Sequence, residues 1–167
     1  MKKIHLLRHA KSSWEDASLA DIDRPLNERG RKTCGFMAQH IAEAGCCCFA
    51  QVFCSPAVRA QATIELLSSR LPGAAVQWQT VEQLYTFESK AIWDWCRVLD
   101  ESTHEPLLVG HNQALTDFCN QLSGSAVNNI PTCGYVQLVI KKECLWRELA
   151  EGAADLAVFL RPKKLMQ

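Results

Sequence analysis

Short apolar runs alternate with longer stretches of helical spacing along this chain, and that alternation restricts the fold more than any other feature. Residues 3–7, 51–54, 76–79 and 106–109 each read as a short strand. From Asn27 the small and apolar residues fall at helical spacing, through Cys34, Met37, Ala38, Ile41 and Ala42, and Gly45 supplies a stop. Ser55-Pro56 predicts a second helix start, because Ser caps well and Pro suits the first helical position. That helix runs through Ala60, Ile64 and Leu67 to Pro72-Gly73. Residues 89–99 place Ile92, Trp93, Cys96 and Leu99 on one helical face, and residues 114–122 form a further helix ended by Gly124. Residues 135–140 and 143–149 read as a hairpin around Lys141-Lys142, with a last strand at 156–160. Residues 14–25, with Asp16, Asp21, Asp23 and Pro25, read as a loop. Strands and helices in this order predict an α/β three-layer sandwich, with a largely parallel central sheet flanked by helices. No repeat or composition break marks a linker, so residues 1–167 are expected to be one domain.

Charge narrows the function classes. Eighteen Lys and Arg balance 18 Asp and Glu, which gives no electrostatic footprint for nucleic acid or a membrane surface. The densest basic run, Arg161-Pro-Lys-Lys164, reads as a solvated tail. Arg8 and His9 interrupt the first apolar segment too early for a signal peptide, and no stretch approaches the ~20 apolar residues of a membrane span. A cytoplasmic location is the expectation. The nine cysteines include no Cys-x-x-Cys pair, so they read as small buried residues in a reducing compartment. Metal binding or oxidation at Cys46-Cys47-Cys48 is the weaker alternative, because adjacent side chains diverge. No metal and no cofactor is expected.

Ligands of parallel α/β sheets bind beyond the C-terminal strand ends. The first strand ends in Arg8-His9, with Lys11, Ser12 and Ser13 next; the second leads into Ser55 and Arg59; the fourth ends in Gly110-His111-Asn112. Each element alone has an ordinary structural explanation. Together they offer two imidazoles and two guanidiniums, a set suited to phosphate: arginine forks bind its oxygens bidentately, and a neutral imidazole can attack phosphorus.

These residues carry a resemblance. Leu7-Arg8-His9-Ala10, Ser55-Pro56-x-x-Arg59-Ala60-x-x-Thr63 and Val109-Gly110-His111-Asn112 resemble the motifs of the histidine phosphatase (phosphoglycerate mutase-like) superfamily. Residues 7–14, together with Asp23-Arg-Pro-Leu-Asn-Glu-Arg-Gly30 and Phe159-Leu-Arg-Pro-Lys-Lys-Leu165, are similar to its SixA-type phosphohistidine phosphatase branch. The resemblance implies that His9 is the nucleophile, that Arg8 and Arg59 clamp the phosphoryl oxygens, and that His111 assists from across the pocket. Lys11 and Ser13 are further candidates to touch phosphate or substrate. Asn112 either joins them, orienting His111, or caps the following helix. Arg24 and Arg29 either reach an anionic substrate or form helix-end salt bridges.

One departure bears on substrate. Many members carry a general acid after the third strand; here Thr86 aligns with it, and Glu82 and Glu88 lie near. An enzyme without a proton donor favours leaving groups that depart easily, as imidazole does from phosphohistidine. Arg59 and His111 are only 52 positions apart, which implies an open pocket suited to a protein side chain. The expected partner is a phosphorylated protein bearing phosphohistidine. A small phosphorylated substrate is the alternative, with Glu82 or Glu88 as acid, and a phosphate-binding module without turnover is the third reading.

Overall fold

The computed structural model describes residues 1–46, 51–73 and 76–166. Among them six strands form one sheet: β1 (Lys3–Arg8), β2 (Gln51–Cys54), β3 (Trp78–Thr80), β4 (Pro106–Gly110), β5 (Tyr135–Ile140) and β6 (Ala154–Leu160). Their spatial order is β3-β2-β4-β1-β5-β6. The first four pair parallel, and β5 pairs antiparallel with both β1 and β6. Only β5 therefore opposes the common direction, and the sheet is largely parallel as expected.

Alternation along the strands assigns the two faces. Ile4, Leu6, Phe53 and Leu108 point to one side, where they meet α3 (Ser89–Cys96) and α4 (Ala114–Ser123). Leu7, Val52, Cys54, Leu107 and Val109 point to the other, against α1 (Glu28–Glu43) and α2 (Val58–Arg70). Strands covered on both faces must be apolar at nearly every position, which is why β1, β2 and β4 read as continuous runs. Each fully buried Leu or Ile here contributes about 1.5–3 kcal/mol.

Asn27 caps α1 as its sequence position suggests, its Oδ1 accepting from the Gly30 amide at 2.8 Å. Four expectations need correction. The second helix begins at Val58 rather than at Ser55-Pro56; the Ser55 hydroxyl is engaged by His111 instead of capping the helix. Regular helix in α3 stops at Cys96, and the amides of Val98 and Leu99 bond three residues back in tighter turns. Residues 143–149 do not pair with β5. Trp146 is fully buried there, its amide bonded to Glu101 and its indole N–H to the Thr103 carbonyl, so the segment closes a rim as a 3-10 turn, Trp146–Glu148. The true hairpin partner is β6. Finally, residues 161–165 are no free tail. They form a short helix, α5 (Pro162–Leu165), with Pro162 buried and Leu165 packed on the α1/α2 core.

Six of the seven described cysteines are buried and Cys144 is partly so; Cys47 and Cys48 lie outside the described residues. No helix among the described residues is long and apolar enough to cross a membrane.

Candidate active site

Parallel pairing brings the C-terminal ends of β1, β2 and β4 side by side. The His9 amide donates to the Gly110 carbonyl at 3.1 Å, and the Ser55 amide to the Val109 carbonyl at 3.0 Å. Thr63 on α2 pins the loop after β1: its hydroxyl accepts from the Ala10 amide at 2.9 Å and donates to the Arg59 carbonyl at 2.6 Å. His9, Arg59 and His111, fifty or more positions apart in the chain, are thereby held together.

His9 is buried, and its orientation is defined at both nitrogens. Nδ1 lies 2.7 Å from the Ala10 carbonyl, which only accepts, so Nδ1 carries the proton. Nε2 then presents its lone pair, facing the Nε–H of Arg59 at 3.4 Å. Burial above all, and then the charges of Arg59, Arg8 and Arg24, lower the His9 pKa to about 4, against the pull of the Ala10 carbonyl. The ring is neutral at pH 7.

The His111 ring sits 5.1 Å from that of His9, centroid to centroid, and is almost fully buried. Its Nε2 is 2.8 Å from the Ser55 hydroxyl and its Nδ1 is 3.4 Å from Arg59 Nη2. Tyr85 and Phe87 pack against its remaining faces. Burial, followed by proximity to His9 and Arg59, lowers its pKa to about 3, so it too is neutral.

In front of His9 lies a cleft of about 220 Å³ walled by Arg8, Lys11, Arg24 and Arg59, with Asp21 as its only carboxylate. Arg8 is fixed by a bond from Nη1 to the Ile130 carbonyl at 2.9 Å. Arg59 gives Nη1 to the Asp21 carbonyl at 2.6 Å and Nη2 to the Asp21 carboxylate at 2.9 Å. Tyr85 and Arg24 bond the same carboxylate. Burial raises the Asp21 pKa, but the bonds from Tyr85, Arg59 and Arg24 outweigh it and bring it down to about 2.

The structure sorts the sequence candidates. Arg8, His9, Arg59 and His111 converge. Lys11 is exposed at the mouth of the cleft. Ser13 does not line it: its hydroxyl accepts from the Glu15 amide in a turn, and Ser12 faces the cleft instead, accepting from Arg24 at 2.8 Å. Asn112 borders the cleft, yet its side chain is occupied elsewhere, Oδ1 taking the Thr116 amide and hydroxyl and Nδ2 bonding Asn129 and Ile130. Capping is the role its contacts describe. Arg24 forms a salt bridge, to Asp21, and also lines the cleft, where it stacks 3.5 Å above Trp14. Glu82 and Glu88 are exposed and outside the cleft lining. Sequence reasoning missed Asp21, Tyr85 and Ser55. Ser55, a polar residue at a strand's C-terminal end, carried a signal; one aspartate among three in a loop carried none.

An α/β sheet whose strand ends converge on an anion-sized, arginine-walled cleft beside a neutral histidine defines a protein built to hold phosphoryl groups. The sequence model of the histidine phosphatase superfamily (branch 1) matches residues 4–88, and the chain belongs to that family. It is 30% identical over 148 residues to an uncharacterised chloroplastic protein of Arabidopsis thaliana, a match covering 79% of this chain; it spans 63% of that protein's length. Among solved structures, the protein histidine phosphatase SixA complexed with tungstate is similar at a TM-score of 0.79 and 17% identity, covering 98% of this chain and 99% of the other. Phosphoserine phosphatase of Entamoeba histolytica, in complex with 3-phosphoglyceric acid, is similar at 0.66 and 13% identity, covering 96% and 98%. Likeness at these identities establishes the shared fold.

Proposed function

We propose that this protein is a phosphatase that works through a phosphohistidine intermediate on His9 and removes phosphate from phosphohistidine in proteins. The observation that carries the proposal is the orientation of His9: Nδ1–H faces the Ala10 carbonyl at 2.7 Å, so Nε2 keeps the lone pair, beside the Arg59 guanidinium at 3.4 Å, on a ring that lines the cleft.

In the first step Nε2 attacks phosphorus, the new N–P bond forms, and the bond from phosphorus to the substrate's leaving nitrogen breaks; the pair stays on that nitrogen, and the substrate ring, protonated from solvent at its other nitrogen, leaves as neutral imidazole. Positive charge appears on the His9 ring, and the Ala10 carbonyl stabilises it through Nδ1–H. The guanidiniums of Arg8 and Arg59 face the charge on the equatorial oxygens. Arg59, which only donates, faces Nδ1 of His111 at 3.4 Å, so the resting proton sits on Nε2 against the Ser55 hydroxyl; once Arg59 turns to the phosphoryl oxygens the hydroxyl can donate to Nε2 instead, and Nδ1–H becomes available to hydrogen-bond one of them. In the second step water attacks the phosphorus of phospho-His9. Its proton passes to solvent, the N–P bond breaks, inorganic phosphate leaves, and the lone pair returns to Nε2.

The substrate class follows from proton supply. The carboxylate in the cleft, Asp21, has its pKa lowered to about 2 and stays ionised, and Glu82 and Glu88 lie outside. An alkoxide leaving group needs a proton that none of these is placed to give; a phosphohistidine ring takes its proton from solvent at the far nitrogen, which lies near neutrality in basicity, and departs as neutral imidazole with no acid in the cleft. The test is incubation with phosphoramidate or a phosphohistidine protein, followed by mass spectrometry. An acid-labile, base-stable phosphoryl adduct on His9, and loss of turnover in His9→Ala, are the expected results. Faster turnover of alkyl phosphates than of phosphohistidine would overturn the substrate assignment, and full activity of His9→Ala would overturn the mechanism.

A further inference from the structure

A second cleft, of about 350 Å³, opens beside the one in front of His9. Arg8, Lys11 and Thr132 line both, so the two share a wall. Beyond that wall the second cleft adds Arg29 from the first turns of α1 and Lys163 from α5. No acidic side chain lines it. Lys11, Arg29 and Lys163 form no ion pair among the described residues, so their charge is not cancelled locally. This concentration of cations stands out in a chain whose acidic and basic residues balance.

The cleft is built rather than incidental. Arg29 is set at its rim by the α1 start, which Asn27 caps. Lys163 is set opposite because the buried Pro162 and the core-packed Leu165 hold α5 down. Pro131, Pro162 and Met166 supply an apolar flank of the kind that packs side-chain methylenes. Cationic side chains, an apolar flank and a wall shared with the cleft that holds His9 together fit a glutamate or aspartate side chain on an extended segment better than a compact small molecule.

We infer that this cleft is a second anion subsite, which selects phosphoprotein segments carrying an acidic residue beside the phosphorylated histidine. The inference rests on the proposed phosphatase reading. Arg29 and Lys163 would bind the carboxylate, and Arg8 and Lys11 would bridge it to the phosphoryl site. The contribution of Arg29 and Lys163 is to affinity and specificity, with no part in the chemical step.

The test compares phosphohistidine peptides with acidic and with neutral flanks, using the intact protein and an Arg29→Gln/Lys163→Gln variant. Wild type should show kcat/KM about tenfold higher for the acidic peptide, through KM, with the advantage lost at high salt. The double variant should lose the preference while hydrolysing the neutral peptide and phosphoramidate normally. Equal rates for the two peptides with wild type, or an undiminished preference in the variant, would overturn the inference. So would a stronger preference for a small bisphosphate over the acidic peptide. Failure of wild type to hydrolyse phosphoramidate would instead count against the phosphatase reading. The subsite is then judged by calorimetry with the same peptides: tighter binding of the acidic one, abolished in the variant, supports it, and equal binding refutes it.

Discussion

Arg59 closes on Asp21 at two points, Nη1 to the backbone carbonyl at 2.6 Å and Nη2 to the carboxylate at 2.9 Å. Both terminal nitrogens of the guanidinium assigned to a phosphoryl group are thus held by Asp21, one by its neutral carbonyl and one by its carboxylate. An incoming phosphate must share that guanidinium with Asp21 or displace its carboxylate. Asp21→Asn keeps an oxygen acceptor for the guanidinium and removes the competing charge. Inorganic phosphate should then bind severalfold more tightly, a change on the order of 1 kcal/mol given the exposure of the pair. Titration calorimetry reads this directly, and unchanged or weaker phosphate binding would show that Asp21 does not compete for the fork.

Ser55 acts through His111. Its hydroxyl contacts Nε2 at 2.8 Å and also accepts from the Ala57 amide at 3.2 Å, in a fully buried position. Ser55→Ala leaves both groups without that partner, at a cost of about 1–3 kcal/mol in stability. If the hydroxyl sets the His111 tautomer, kcat should fall about tenfold with KM nearly constant, and Ser55→Thr should restore most of it. Equal loss in Ala and Thr variants, matched only by their melting temperatures, would reduce Ser55 to a structural role.

The periodic part of the fold was legible because burial on both sheet faces forces apolar runs, as in β1, β2 and β4. Register and partner choice were less so. Residues 143–149 read as the second strand of a hairpin around Lys141-Lys142, but Trp146 and Leu149 turn into the core around a 3-10 turn, and β5 found its partner in β6. The Ser55-Pro56 signal was real chemistry at the wrong address: the hydroxyl had a partner in His111, far along the chain. Three of the convergent residues could be named because Arg8 ends β1 and His9 and His111 directly follow β1 and β4; Arg59, on the first turn of α2, was carried by the Ser55-Pro56-x-x-Arg59 spacing after β2. Asp21 and Tyr85 could not, since long-range hydrogen bonds between loops leave no periodic trace. The Cys46-Cys47-Cys48 run cannot be judged as a unit, since two of its members lie outside the described residues.

Acid should destabilise the protein well above the carboxylate range. His9 and His111 are lowered to about 4 and about 3 from the ordinary imidazole value of 6.5. Between pH 6.5 and about 4 the unfolded chain takes up protons that the folded chain refuses. Stability therefore rises with pH across this window and is lost as pH falls through it. Asp21, lowered from 3.8 to about 2, adds a loss of the same sign below pH 4. Denaturation midpoints at pH 7.5 and 5.0 should differ by on the order of 1–2 kcal/mol for each imidazole. His5, buried in β1, is likewise lowered to about 4, chiefly by burial, so three imidazoles share the effect and His9→Gln should remove roughly a third of the total difference. Ring NMR signals that titrate near 6.5 would contradict the burial argument.

Two glycines of α1 should respond to alanine with opposite signs. A Cβ on Gly30 would clash with the Lys11 carbonyl oxygen and lie 2.9 Å from its amide nitrogen, which are backbone atoms of the loop that follows His9. That carbonyl also accepts from the Asn27 amide at 3.0 Å, so helix and loop are already in contact and one must move. Gly30→Ala should cost about 1–3 kcal/mol, as overpacking does. It should also lower kcat/KM about 100-fold, because a displacement near 1 Å misaligns an in-line attack. A Cβ on Gly35 meets only the flexible Arg70 side chain, at 3.6 Å. Gly35→Ala should therefore stabilise the helix by about 0.5–1 kcal/mol and leave turnover unchanged. Parallel melting curves and initial rates for the two variants make the comparison, and a Gly30→Ala protein as active as Gly35→Ala would show that the loop position does not govern the chemistry.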